Sequence, residues 1–240
     1  MKSGLLDSFV RPQTLHSRQL RIRWIVLSAV ASLLLAGTLA ARVSSSPATA
    51  PITLAKGQSV TISVFRLFRD VVRVSLEFER TAGNRRPELG MPPSSTGPGY
   101  IEFALPGQPV RMEVSGPDST IEYEALPGSS HGDRHIIRDL VVRANDADPT
   151  RFSWPPRDLV RQALPPGRST ISLTVMEVGE PLFGERVRVI IQPPLSFKSS
   201  APGYGFLWWF FFWPLLALPL ACYGAYLAWQ TKRLRSQHRG

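Results

Sequence analysis

FLWWFFFWPLLALPLACYGAYLAW, residues 206–229, is the stretch on which the reading of this chain turns: 24 residues with no charged side chain. At about 1.5 Å per helical residue such a run extends about 36 Å, against about 30 Å for a bilayer's hydrocarbon core. Trp208, Trp209 and Trp213 stand near its start and Tyr226 and Trp229 at its end. Indole and phenol groups favour the headgroup level, so the run carries an anchoring belt at each end. Lys232, Arg233, Arg235 and Arg239 follow as a basic stop. Pro214 and Pro219 would break a helix in water but are tolerated in lipid, where neighbouring groups satisfy the freed carbonyls. The rival, a buried core helix, fits neither the length nor the basic stop. A transmembrane helix is expected over 206–229.

A second apolar run, residues 24–41, opens on Trp24 after Arg18, Arg21 and Arg23. Its 18 residues give about 27 Å, just enough to cross. The Thr-Leu-Ala-Ala at 38–41 loosely resembles a signal-peptide cleavage site. The polar lead of 23 residues is long for that, and Thr38 or Leu39 stands where a small residue is usual. The reading favoured is an uncleaved signal anchor.

The net charge of +10 divides unevenly: +4 on residues 1–23, +4 on the tail after Trp229, and +2 on everything between. The basicity thus belongs to the two tails. They are short and carry no nucleic-acid-reading motif, so no nucleic-acid partner is expected. Basic flanks stay on the cytoplasmic side of a membrane and lean on anionic lipid. Both termini are therefore expected in the cytoplasm, with the middle of the chain outside.

Ser28, Ser32, Ala36 and Ala40 recur every four residues in the first apolar run, as do Ala217, Ala221 and Ala225 in the second. Small residues at this spacing let helices approach closely in lipid. They suit pairing of the two helices with each other, with a partner's helices, or between copies of the chain, although such residues are also simply common in membrane helices. Neither run holds an ionisable Asp, Glu, Lys, Arg or His, the usual mark of an ion or proton path, so an anchor is expected rather than a transporter.

After a Ser-, Ala- and Pro-rich linker the hydrophobic period becomes two. Val60, Ile62 and Val64 alternate with polar residues, and so do Val72, Val74, Leu76 and Phe78. The pattern continues through Ile101, Phe103 and Leu105, through Val110, Met112 and Val114, and through Ile121 and Tyr123. Residues 136–142, 169–178 and 187–191 complete the set, with Glu177 on the inner phase of its strand. Pro106-Gly107, Gly116-Pro117 and Pro127-Gly128 read as turns between short strands, the pattern of an antiparallel sandwich or barrel. A Leu-Pro-Pro-Gly turn at 164–167 feeding a long alternating strand and a final hairpin is similar to the closing strands of immunoglobulin-like sandwiches. The domain lacks the cysteine pair and core tryptophan of antibody-type domains. The expected fold is thus an all-β extracytoplasmic domain, an antiparallel Ig-like sandwich, flanked by two transmembrane α-helices. Its boundaries are a tail at 1–23, a helix at 24–41, a linker at 42–55, the β domain at 56–194, a linker at 195–205, a helix at 206–229 and a tail at 230–240. Cys222, the only cysteine, lies in the second apolar run, so the β domain has no disulfide.

Little catalytic chemistry is on offer. His131 and His135 form the one ligand-like cluster, but they sit at a loop-to-strand junction and a metal needs a third ligand; solvated loop histidines are the default, and no metal or cofactor is expected. There is no G-x-S-x-G elbow, phosphate-binding loop or dinucleotide fingerprint. Glu77 and Glu79, like Glu122 and Glu124, alternate with apolar residues and face water together rather than flanking a glycosidic bond. What remains is surface. The long Pro/Gly loop at 83–99 presents Arg85, Arg86 and Met91, which suits a binding loop. The chain is accordingly expected to be a non-enzymatic two-pass protein of a bacterial inner membrane, with a periplasmic β domain serving as the protein-binding or scaffolding subunit of an envelope assembly. An immunity protein against a membrane- or periplasm-acting toxin would share the layout.

Overall fold

The computed structural model describes residues 11–80, 86–97, 99–131, 134–142, 150–154, 162–196 and 200–237. They fall into two units. One comprises the described parts of Met1–Arg42 and Phe206–Gly240, the other those of Val43–Gly205.

The first unit is a pair of long helices, α1 (Arg11–Ser44) and α2 (Trp213–Gln237), the latter led in by a 3-10 helix at Gly205–Phe212. The segments Arg18–Ser44 and Gly205–Ser236 are each long and apolar enough to cross a membrane. The α1 helix starts well before residue 24. Pro12 lies within its described length. Pro214 stands in the first turn of α2, where a missing N–H leaves no bond unmade, while Pro219 lies further inside that helix.

The two helices pack antiparallel. Trp24 Nε1 donates to Thr231 Oγ1 at 3.2 Å. At the other end the Phe210 ring fills the space beside Gly37, where a Cβ would lie 2.1 Å from it. At Gly224 a Cβ would make only ordinary contact with buried Leu27. The close approach is thus made at Gly37. Ser28, Ser32, Ala36, Ala221 and Ala225 are exposed, and Ala40 and Ala217 are half-buried.

The second unit contains β1 (Ala48–Thr53), β2 (Ser59–Arg66), β3 (Asp70–Val71), β4 (Val74–Glu79), β5 (Ser95–Gly97), β6 (Gly99–Glu102) and β7 (Val110–Ser115). It continues with β8 (Thr120–His131), β9 (His135–Val141), β10 (Arg151–Trp154), β11 (Ala163–Leu164), β12 (Gly167–Val178) and β13 (Arg186–Ile191). Eight of these form one antiparallel sheet in the order β1-β13-β4-β9-β8-β7-β12-β2. The end strands β1 and β2 lie beside each other, so the sheet is nearly a closed barrel. An immunoglobulin-like sandwich divides its strands between two sheets; here one ladder runs unbroken from β1 to β2. Eight strands enclose an interior that side chains just fill. Leu76, Phe78, Val110, Met112, Ile171, Leu173, Val175 and Val189 fill it, fully buried.

Four sequence signals resolve differently from expectation. The 42–55 linker contains β1, whose Ala48, Ala50 and Ile52 turn inward from an edge position that accommodates Pro51. Pro127-Gly128 lies inside β8, at a register shift against β9, rather than in a turn. In β12 a bulge between Val175 and Glu177 exposes Met176 and turns Glu177 outward. The 195–205 linker is also packed, with Leu195 and Tyr204 fully buried.

The chain enters and leaves this unit side by side, Leu195 N–H donating to Ser44 O at 3.2 Å. A polar seam holds that end. Arg66 meets Asp70 at 3.2 Å, both side chains buried, and donates to Gln192 O. Burial draws the Arg66 pKa below arginine's ordinary value, against the opposing pull of Asp70. Tyr204 Oη donates to Phe68 O and accepts from Phe68 N–H, both at 2.9 Å, with the two rings edge to face.

Candidate functional site

The sequence marks the loop after β4 as a surface, and the structure shows how that surface is built. Arg85 lies outside the described residues. Arg86 forms a bidentate pair with Glu185 (2.6 and 2.7 Å), meets Glu88 at 2.7 Å and donates to Glu79 O at 3.1 Å. Four acceptors on one planar fork fix the loop's start to the end of β4 and the approach to β13. The hydrogen bonds that Arg86 donates to Glu185 lead in raising its pKa above arginine's usual range. At Glu88 burial pushes the other way, yet the Arg86 hydrogen bond and a main-chain N–H hold its carboxyl below the ordinary glutamate value.

Beyond the clamp, Leu89 sinks fully into the barrel core. The chain then crosses the 105–108 segment at two glycines, Gly90 (φ 80°) and Gly107 (φ 78°). Both φ values are ones that side chains disfavour, and each glycine abuts the other segment's backbone. A Cβ on Gly90 would lie 2.7 Å from Pro106 C, and one on Gly107 2.6 Å from Gly90 N. Main-chain bonds join the segments, Gln108 N–H to Glu88 O at 2.7 Å and Met91 N–H to Leu105 O at 2.8 Å.

Arg138 supports this crossing from inside. It occupies the buried phase of β9 between Ile136 and Leu140 and is 1% exposed. Its guanidinium donates to Gln108 O at 2.7 Å, Pro106 O at 3.3 Å and Ala125 O. Burial lowers its pKa to about 10, with Glu124 opposing the shift, so it stays charged at neutral pH. Arginine's five donors can satisfy three converging carbonyls that an apolar side chain would strand.

The result is a hydrogen-bonded platform displaying two large apolar side chains, Met91 and Leu105, 53% and 49% exposed. Beside it the sheet β10-β6-β5 is extended by Ser94 N–H to Glu102 O at 2.8 Å, and the outer edge of β5 has no strand partner among the described residues. Apolar contact and main-chain pairing are what such a surface offers; the described residues bring no nucleophile and base together on it.

The remaining expected residues sit apart from the platform. His135 is half-buried, its Nδ1 3.8 Å from Glu77, which itself pairs with Arg188 at 2.9 Å. His131 ends β8 opposite Ile136, and its side chain lies outside the described set. No group of three His, Cys, Asp or Glu among the described residues could hold a metal ion. In the helical unit Trp209, Trp213, Tyr226 and Trp229 are exposed. Trp208 stacks edge-on against Trp209 and Phe212, and half-buried Trp24 makes the bond to Thr231.

Sequence reasoning passes over Leu105, Arg138 and the paired glycines. Arg138 leaves a usable signal, a cation in the inward phase of an otherwise apolar strand.

No protein-family model matches this chain, and no curated protein does. Among solved structures, a Sulfurospirillum deleyianum protein is 15% identical over 61% of this chain and 97% of its own, with a TM-score of 0.34. A likeness at that level carries no argument about fold or function.

Proposed function

We propose that the chain is a two-pass protein of a bacterial inner membrane, both termini cytoplasmic, whose β domain stands in the periplasm as a non-catalytic binding or scaffolding subunit of an envelope assembly. The observation that carries this reading is the platform itself. The described part of the loop that carries Met91 is already tied down by Arg86, Arg138 and the glycine crossing, so contact through Met91 and Leu105 costs little further ordering. The partner it suits is a membrane or periplasmic protein with an apolar patch. The charge of the two tails supports the orientation.

The test places a photo-crosslinker at Met91 of the full chain in cells, with Arg168 on the outer face of β12 as control. A single partner captured from Met91 alone, and lost from the Met91→Ser/Leu105→Ser variant with the β strands still protected from hydrogen exchange, is the expected result. Equal capture from both positions, or none from Met91, removes the platform as the binding surface. Reporter fusions after Arg42, Pro149 and Gly240 check the orientation, with outside, outside and inside as the expected pattern.

A further inference from the structure

The helical unit contains a cavity of about 240 Å3 where the start of α1 and the end of α2 lie together. Arg23 and Arg233 line it with the amides of Gln19 and Gln230; Leu20, Leu234 and the Trp229 indole complete it. Among the described residues its ionisable lining is therefore two guanidinium groups and no carboxylate. Arg233 lies over the Trp229 ring, 5.6 Å from its centre, which holds that cation at the cavity. The side-by-side placement is fixed by the bond from Trp24 Nε1 to Thr231 Oγ1 at 3.2 Å. Depth follows from the sequence. One apolar run begins at Trp24 and the other ends at Trp229, so in a bilayer the cavity lies just beyond the hydrocarbon, at the level of lipid phosphate.

We propose that this cavity binds the phosphate of an anionic phospholipid headgroup. Two guanidinium forks match phosphate oxygens, the Gln19 amide adds a neutral donor, and the apolar lining accepts the upper part of the acyl chains. The assignment rests on both helices lying in a bilayer, which the proposed function also requires. It goes beyond general attraction of basic tails to a charged surface because it names two arginines of several.

The experiment uses the full chain, extracted in mild detergent and examined by native mass spectrometry after titration with phosphatidylglycerol or phosphatidylcholine. The wild type is expected to retain one phosphatidylglycerol in preference to phosphatidylcholine. Arg23→Gln/Arg233→Gln should weaken that retention by at least about tenfold, since each charge-assisted contact is worth about that much. Arg18→Gln/Arg235→Gln removes the same charge outside the lining and should retain the lipid. Equal loss in both variants means the tails act only as diffuse charge and overturns the proposal, as does retention in the first variant. Inorganic phosphate is titrated in parallel; binding of phosphate alone, with no retained phosphatidylglycerol, would reassign the cavity to a soluble anion and also overturn it. Carbonate extraction of cell membranes separates the two readings. A chain released as soluble protein defeats the membrane reading itself, whereas a chain that stays embedded without selective lipid defeats only this site.

Discussion

The two units use the same apolar residue types in opposite ways. The barrel hides Leu54, Leu76, Phe78 and Val110 completely. The helical pair leaves Ile25, Leu33, Trp209 and Leu215 about two-thirds exposed, and Leu27, Ala41, Leu207 and Leu227 are the buried hydrophobics among its described residues. A helix satisfies its own backbone and so tolerates an apolar surround, whereas an open strand does not until its neighbours arrive. The barrel therefore keeps its apolar side chains inside, and the helices carry theirs outside. Charge follows a related division: buried Arg66 and Arg138 of the barrel are tied to named acceptors, while the helical unit's described cations gather at its ends.

The largest expected effect that breaks this contrast is at Arg138. Arg138→Ala strands the carbonyls of Pro106, Gln108 and Ala125 and should cost about 3–5 kcal/mol of barrel stability. Urea titration of the full chain in detergent, followed by hydrogen exchange of the β strands, measures it; a loss within experimental error would mean that the network does not hold the platform. Next comes Leu33→Arg, near the middle of the first apolar run. An arginine there costs about 2.5–3.5 kcal/mol of insertion. The carbonate-resistant fraction should fall while the urea midpoint of the barrel stays unchanged, and unimpaired insertion would argue that 24–41 does not span.

Gly37→Leu sharpens the comparison inside the helical unit. The added side chain occupies the place of the Phe210 ring, and overpacking of this kind costs about 1–3 kcal/mol. Spin labels at Arg21 and Arg235 should report a broader separation of the helix ends; an unchanged distribution would mean that Phe210 swings away without loss. The smallest effect is local and depends on pH. The Glu88 carboxyl is held below its ordinary value, so its pairing with Arg86 stabilises the loop above the unfolded glutamate pKa of about 4.3. That contribution is lost as pH falls through the lower folded value. Half-exposed pairing of this kind is worth up to about 1 kcal/mol. Hydrogen exchange at Leu89 to Met91, corrected for intrinsic pH dependence, should quicken in acid before exchange in β12 does.

Much of the barrel is legible from the chain alone. Ser59–Arg66, Val110–Ser115 and Arg186–Ile191 alternate cleanly, because each strand has one wet face and one dry one. The near-closure is not legible, since it depends on β1, whose Ala-Thr-Ala-Pro reads as linker until Ile191 supplies its partner. At the site, the length and composition of the loop single out Met91. Leu105 reads as the third residue of an alternating strand, and only its exposure in the folded chain shows that it faces outward. Gly90 and Gly107 are ordinary turn glycines in sequence, and their mutual contact is a tertiary fact. Arg138 is visible to period-two counting, yet three carbonyl acceptors from two separate segments cannot be read from spacing.

The glycine crossing also limits how such a surface can change over generations. With two backbones in contact at Gly90 and Gly107, neither segment has room to lengthen or twist without parting Met91 from Leu105. Descendants of this chain can redecorate those two positions far more easily than they can reshape the ground beneath them. A new taste in partners would come by exchanging side chains, with the underlying contour inherited intact.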